Sequence, residues 1–337
     1  MNLLIWGFLV VFVLTCKHFF SDGDFSFLLT LGSLISCFGF CLITFRSIKT
    51  RSVAGVSLKS LQCYAVVFLC RFIAVWNSTS YLPFDRSGDW FYQVVELTSF
   101  FAVMINIYLI MGPLKYTHNS HHDTFGQGHF LPKQYTSLYL IVPAIVLALI
   151  VRPHRSGTYC DLLWAIAMYL EGVAIYPQLH MFQKNRTGEI EALTSHFVFS
   201  MAISKFLNLL FWLGSWKELN SGWSYLSRHF AGPIVIASQI TQLALMASFI
   251  FYYLRAAFSD TPLILPTSIA DRRDLCVCWK QEKEKASRLK DRRLGGRSGC
   301  KSEAARWSRR PFPIPRSSEF AKARRSLLRS AFALCGK

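Results

Sequence analysis

Residues Asp161–Leu179 read DLLWAIAMYLEGVAIYPQL. The run is long and apolar enough for a bilayer-spanning helix. A helix repeats about every 3.6 residues, so Asp161, Trp164, Met168 and Glu171 fall on one stripe. The two carboxylates lie roughly 15 Å apart along the axis. Glu171 sits among Leu170, Val173, Ala174 and Ile175. A charge at bilayer depth costs on the order of 2.5–3.5 kcal/mol, so such a residue faces a cavity or a partner. Two readings stay open: a paired structural glutamate, or a wall of a polar cavity that binds something charged. Pro177-Gln178 ends the stretch.

Composition places this helix in a membrane protein. Hydrophobic residues make up 52% of the 337, and mean hydropathy is +0.31 despite 37 Lys and Arg. That balance fits several apolar runs plus a basic remainder, not one soluble domain. The charge is unevenly placed. Asp271–Lys337 holds 20 Lys/Arg against 7 Asp/Glu, so most of the net +18 belongs to a tail. Of the ten cysteines, six lie in or beside apolar runs and behave as small hydrophobes. Cys276 and Cys278 form a C-x-C without a second pair at zinc-ligand spacing, so no metal is expected there. Juxtamembrane cysteines remain open to palmitoylation.

Eight candidate spans follow along the chain: Asn2–Phe20, Phe25–Phe45, Leu61–Trp76, Phe91–Met111, Leu138–Val151, the opening stretch to about Phe182, His196–Trp216 and Ala231–Leu254. The first lacks a cationic n-region and a small-x-small cleavage site, and reads as an uncleaved span or signal anchor. Three regions result: 1–24, an extra span and turn; 25–258, a helical membrane domain; and 259–337, a basic, mostly disordered tail. The bias of Lys and Arg puts the tail, the N-terminus, Arg46–Lys59 and Gln183–Ser195 on the cytoplasmic side. The polybasic tail is drawn to anionic membrane lipid. Asn77-Ser78-Thr79 is then a lumenal sequon, and Asn185-Arg186-Thr187 a cytoplasmic one.

Within the spans, Arg71, Glu171 and Lys205 stand out besides Asp161. Lys205, Asn208 and Trp212 share a helix face. These charges either neutralise one another or line a cavity for a ligand with a terminal carboxylate and a cationic group. Arg71 can grip a carboxylate bidentately, and Asp161 beside Trp164 can hold an ammonium. His118, His121, His122 and Asp123 lack helix-based metal spacing and read as a solvated loop. No G-x-S-x-G, H-E-x-x-H or phosphate-loop pattern occurs, so neither an enzyme nor a cofactor is expected. Nucleic acid is not an expected partner.

Six stretches carry a resemblance: TRSVAGVSLKS (50–60), AVVFLCRF (65–72), HHDTF (121–125), IVPAIVLALIV (141–151), LLWAIAMYLEGVAIYPQL (162–179) and KNRTGEIEALTSHFVFSMAISKF (184–206). Together they are similar to the ERD2 / KDEL-receptor family, the ER lumen protein-retaining receptors, over roughly Phe25–Leu254. The resemblance implies an all-α multi-pass fold of seven helices, related to the PQ-loop and SWEET transporters. Two three-helix bundles would flank an inverting helix, with the N-terminal span added. It implies a receptor of endoplasmic reticulum and Golgi membranes. Such a receptor binds C-terminal Lys/His-Asp-Glu-Leu signals of lumenal proteins at acidic pH and returns them to the endoplasmic reticulum by vesicle transport, with coat machinery as a partner.

By resemblance, Arg71 takes the ligand's terminal carboxylate, and Asp161 and Trp164 lie near its first side chain. Glu171 and Lys205 belong to a proton-linked network, and Trp212 matches an aromatic of the sixth family helix. The chain also departs from the family. Phe25–Phe45 has neither the arginine nor the histidine of the family's first helix. Ala74, Ser204 and Ser215 stand where the family has aspartate, tyrosine and arginine, so the chain looks like a divergent ERD2-related member. Two alternatives accompany this reading: a small-molecule transporter of the same architecture, and a Golgi membrane protein that binds no such signal.

Overall fold

The computed structural model describes residues 2–84, 86–88, 90–126, 132, 135–154, 157–184, 190–220 and 225–259. The basic tail with Cys276 and Cys278, and the sequon at Asn185, lie outside the described residues. Among the described residues the regular structure is helical. The α-helices are α1 (Asn2–Phe20), α2 (Phe27–Thr50), α3 (Leu58–Asn77), α4 (Phe91–Met111), α5 (Leu138–Ile150), α6 (Thr158–Ala174), α7 (Tyr176–Lys184), α8 (Ala192–Leu219) and α9 (Tyr225–Ser259).

Among the described residues six spans are long and apolar enough to cross a membrane, with α6 and α7 counted together as Thr158–Lys184. Helix α5 is shorter, with 13 residues. Large apolar side chains such as Phe101, Met104, Ile105 and Tyr108 of α4 are exposed in the protein alone. A bilayer supplies the cover that water could not. The chain is a multi-pass membrane protein.

Packing follows a simple scheme. Helix α4 packs on both α2 and α3, and α9 packs on both α6 and α8. The two sets meet along α2–α8 and α3–α6, while α5 lies against α6. Close approach needs small residues at the crossings, as in membrane helix pairs generally. At Gly172 of α6 an added Cβ would stand 2.9 Å from the Ser238 carbonyl oxygen of α9.

Pro177 breaks the line between α6 and α7, because proline has no N–H to continue the ladder. The Gln178 N–H bonds to the Ile175 carbonyl at 3.1 Å, a tighter turn than the α-helix. The Ala174 carbonyl instead accepts the Ser60 hydroxyl of α3 at 2.6 Å. The Gln178 side chain then reaches the α2–α3 connection. It accepts from the Ser57 N–H at 2.8 Å and donates to the Gly55 carbonyl at 2.7 Å. A sequence break thereby becomes a joint that ties the end of α6 to the start of α3.

The start of α3 has a second anchor. Asp123 accepts from the Ser57 hydroxyl at 3.0 Å and from the Leu58 N–H at 3.1 Å. Lys59 donates to the Asp123 and Phe125 carbonyls, each at 2.7 Å. The expectation of a solvated His-rich loop needs correction here. Asp123 is buried and serves as an acceptor at a helix N-terminus, where the dipole favours an anion. His118 lies 3.9 Å from this carboxylate. Burial lowers the pKa of His118, and nearby Lys59 adds to the effect against the pull of Asp123. No group of three or more metal-ligating side chains occurs among the described residues.

Candidate functional site

The stripe on α6 carries two polar clusters, one at each carboxylate. Glu171 anchors the deeper one. It is ion-paired with Arg71 of α3 through one oxygen and with Lys205 of α8 through the other. The second arm of Arg71 reaches Glu96 of α4 at 3.3 Å. The Ser33 hydroxyl of α2 donates to the same Glu96 oxygen at 2.7 Å. Five helices therefore converge on two acids and two bases, and all four charged side chains are buried. The formal sum is zero, which is how such charges persist away from water.

Glu96 was not among the residues singled out from the sequence. It is the one acid of the apolar run Phe91–Met111, and the cost argument that marked Glu171 marks it equally.

Asp161 anchors the second cluster, in the first turn of α6. Its carboxylate accepts from the Tyr81 hydroxyl, accepts the Gly157 N–H at 3.3 Å and lies 3.2 Å from Nδ1 of His154. The helix N-terminus adds favourable field to this anion. Tyr81 stacks on Trp164 at 4.8 Å between ring centroids, and Trp164 meets Trp212 of α8 edge-to-face at 5.3 Å. A narrow cleft opens beside these rings, lined by Leu29, Tyr81, Phe84, Phe211, Trp212 and Ser215.

Side chains thus join α6 and α8 at two levels: the Glu171–Lys205 pair and the Trp164–Trp212 contact. On the face of α8 between and beside these levels, Ser204 Oγ, Asn208 Oδ1 and Trp212 Nε1 are buried without a hydrogen-bond partner among the described residues. So is Oε2 of Glu96. Buried polar atoms in native proteins find partners, so this set is suited to water or a polar ligand. Arg71, Glu171 and Lys205 are brought into direct contact, and so are Trp164 and Trp212. Asp161 joins the aromatic set through Tyr81 and not the ionic one.

Comparison with known proteins follows the same residues. The sequence profile of the family described as "ER lumen protein retaining receptor" matches residues 52–215. That segment contains Arg71, Glu96, Asp161, Trp164, Glu171, Lys205 and Trp212. The chain is 30% identical over 235 residues to the "ER lumen protein-retaining receptor" of Drosophila melanogaster, covering 70% of this chain and 96% of the relative. Its counterpart from Dictyostelium discoideum is 29% identical over 240 residues, covering 70% and 97%. The "ER lumen protein-retaining receptor 3" of Xenopus laevis is 27% identical over 239 residues, covering 71% and 97%. The chain belongs to the ER lumen protein-retaining receptor family, a family of receptors and not of enzymes.

Proposed function

We propose that this chain, in membranes of the endoplasmic reticulum and Golgi, binds C-terminal peptide signals of the Lys/His-Asp-Glu-Leu class on lumenal proteins and returns their bearers to the endoplasmic reticulum. The observation that carries the reading is the run of buried polar atoms, unpartnered among the described residues, between the aromatic cleft and the ionic quartet. A peptide enters at the cleft, with its first side chain near Asp161 and Trp164. Its terminal carboxylate goes inward to Arg71, whose planar fork suits a carboxylate. Lys205 and Glu171 hold that arginine in place, and Trp212 forms the wall between the levels.

The packing scheme supports a seven-helix arrangement of the PQ-loop type. Helices α2–α4 form one three-helix unit and α6, α8 and α9 the other, with α5 linking them and α1 added outside. Arg71 and Lys205 each lie thirteen residues past the first residue of their helix, α3 and α8, as a repeat would place them. The end of the bundle with Arg46, Lys49, Arg51, Lys59 and Lys184 is cytoplasmic, which puts the cleft in the lumen. The cytoplasmic end and the basic tail then face vesicle coat machinery and anionic lipid. A transporter reading is not favoured, because the matching profile and relatives are receptors.

The test is retention of a tagged lumenal protein ending in Lys-Asp-Glu-Leu, in cells whose own receptor has been removed. Expression of this chain is expected to restore retention. Continued secretion, with the chain correctly placed in the Golgi, would contradict the reading. Asp161→Asn keeps the side-chain shape and removes the charge. It is expected to weaken binding of lysine-first peptides about tenfold or more, the loss of a charge-assisted contact, while the protein stays folded. Binding assays on the purified variant decide this.

A further inference from the structure

The ionic quartet holds Arg71 unequally. Glu171 uses both oxygens, one on Arg71 and one on Lys205. Glu96 uses a single oxygen, shared between Arg71 at 3.3 Å and Ser33 at 2.7 Å, and leaves its other oxygen buried and unpartnered among the described residues. The arginine therefore has one firm partner and one loose one.

We infer that Glu96 is an internal stand-in for the ligand's carboxylate: it occupies the arm of Arg71 that an incoming C-terminal carboxylate takes, and so sets the affinity and the charge requirement for binding. The inference rests on the proposed role of Arg71 as carboxylate anchor and adds a specificity-determining residue to it.

Charge balance gives the inference its consequence. The groups that face Glu96 are Arg71 of α3, Tyr92 of its own helix, Ser33 and Cys37 of α2, and, across the arginine, Glu171 of α6 and Lys205 of α8. Arg71 and Lys205 are the cations of this set, and both are already balanced. A peptide carboxylate brought into the neutral quartet leaves a net charge of minus one in a buried site. Binding therefore favours conditions in which the site takes up one proton as Glu96 yields its place. With Glu96→Gln the empty site carries plus one, and the incoming carboxylate restores neutrality without a proton.

The experiment measures binding of the free-acid peptide Lys-Asp-Glu-Leu to the full chain in lipid nanodiscs, at pH about 5.5 and about 7.2, a range in which one linked proton changes affinity with pH. Glu96→Gln is expected to bind at least about tenfold more tightly than the parent at the higher pH and to lose most of the pH dependence. Glu96→Asp keeps the charge and withdraws it from Arg71. It is expected to gain affinity less and to keep the pH dependence, and it serves if the glutamine variant does not fold. Arg71→Lys runs in parallel to separate the two ideas. If Arg71→Lys abolishes binding and the Glu96 variants leave affinity and pH dependence unchanged, the inference about Glu96 fails and the anchor stands. If Arg71→Lys binds as the parent does, both fail.

Discussion

Arg71→Ala is expected to lower the thermal midpoint of the detergent-solubilised protein by roughly 10 °C and to abolish peptide binding. The substitution takes one of two cations from a buried quartet. Glu96 and Glu171 then face Lys205 alone, with one negative charge uncompensated. Breaking a buried pair by removing one partner costs about 3–5 kcal/mol, which for a domain of this size is a shift of that order. The paired variant Glu171→Gln with Lys205→Met is the control. It deletes one charge of each sign and leaves Arg71 opposite Glu96. It is expected to cost no more than about 1–2 kcal/mol, less than either single change, because neutral replacement of a buried ion pair is often tolerated. Fluorescence-detected size exclusion after a heat series reads both. Equal losses for the single and paired variants would show that the charges are not coupled.

The second large effect lies at the opposite end of the bundle. Asp123→Ala removes the acceptor for Ser57 and Leu58 at the start of α3, and the carboxylate 3.9 Å from the buried Lys59 ammonium. Loss of a cap costs about 0.5–2 kcal/mol, and the weakened compensation of a buried cation adds to it, for about 2–4 kcal/mol together. Because Gln178 holds the same connection, the damage should spread to the α6–α7 joint. Limited proteolysis is expected to cut the 112–126 loop faster in the variant than in the parent. Asp123→Asn keeps one acceptor oxygen, enough for the Leu58 N–H, while its amide NH2 can only donate, to Ser57 Oγ, so it should recover part of the loss. An unaltered digestion pattern in Asp123→Ala would mean that the loop is held by other contacts.

Much of the fold was legible because a bilayer imposes a coarse rule: long apolar runs become helices. The eight runs correspond to the observed helices α1 to α6 with α7, α8 and α9, although α5 has a shorter apolar length than the other spans. The stripe on α6 was readable from helical period alone. So was the affinity of Glu171 for Arg71 and Lys205, since three isolated charges in apolar runs have few partners other than one another. The single span to about Phe182 is instead two helices, α6 and α7, divided next to Pro177.

What stayed hidden was decided by partners distant in the chain. Asp123 sits in a polar, His-rich stretch, and nothing local separates a solvated aspartate from one buried against Ser57, 66 positions earlier. Gln178 looked like half of a short motif, and its role lies in the backbone of residues 55 and 57. Asp161 and Trp164 could be paired by helical period, but the contacts of Asp161 with Tyr81 and His154 come from outside its helix. Glu96 is different. Its cost inside an apolar run is visible in the sequence, and only its partners Arg71 and Ser33, 25 and 63 positions away, needed the structure.

We propose that the quartet at Arg71 receives a peptide's free C-terminal carboxylate through the aromatic cleft. The most direct measurement compares Lys-Asp-Glu-Leu as the free acid with the same peptide amidated at its C-terminus, by calorimetric titration into the purified chain at acidic pH. Amidation removes one charge and leaves every side chain in place. The free acid is expected to bind, with a loss of about a hundredfold or more on amidation, as for a charged partner withdrawn from a buried arginine. Equal binding of the two peptides would contradict it.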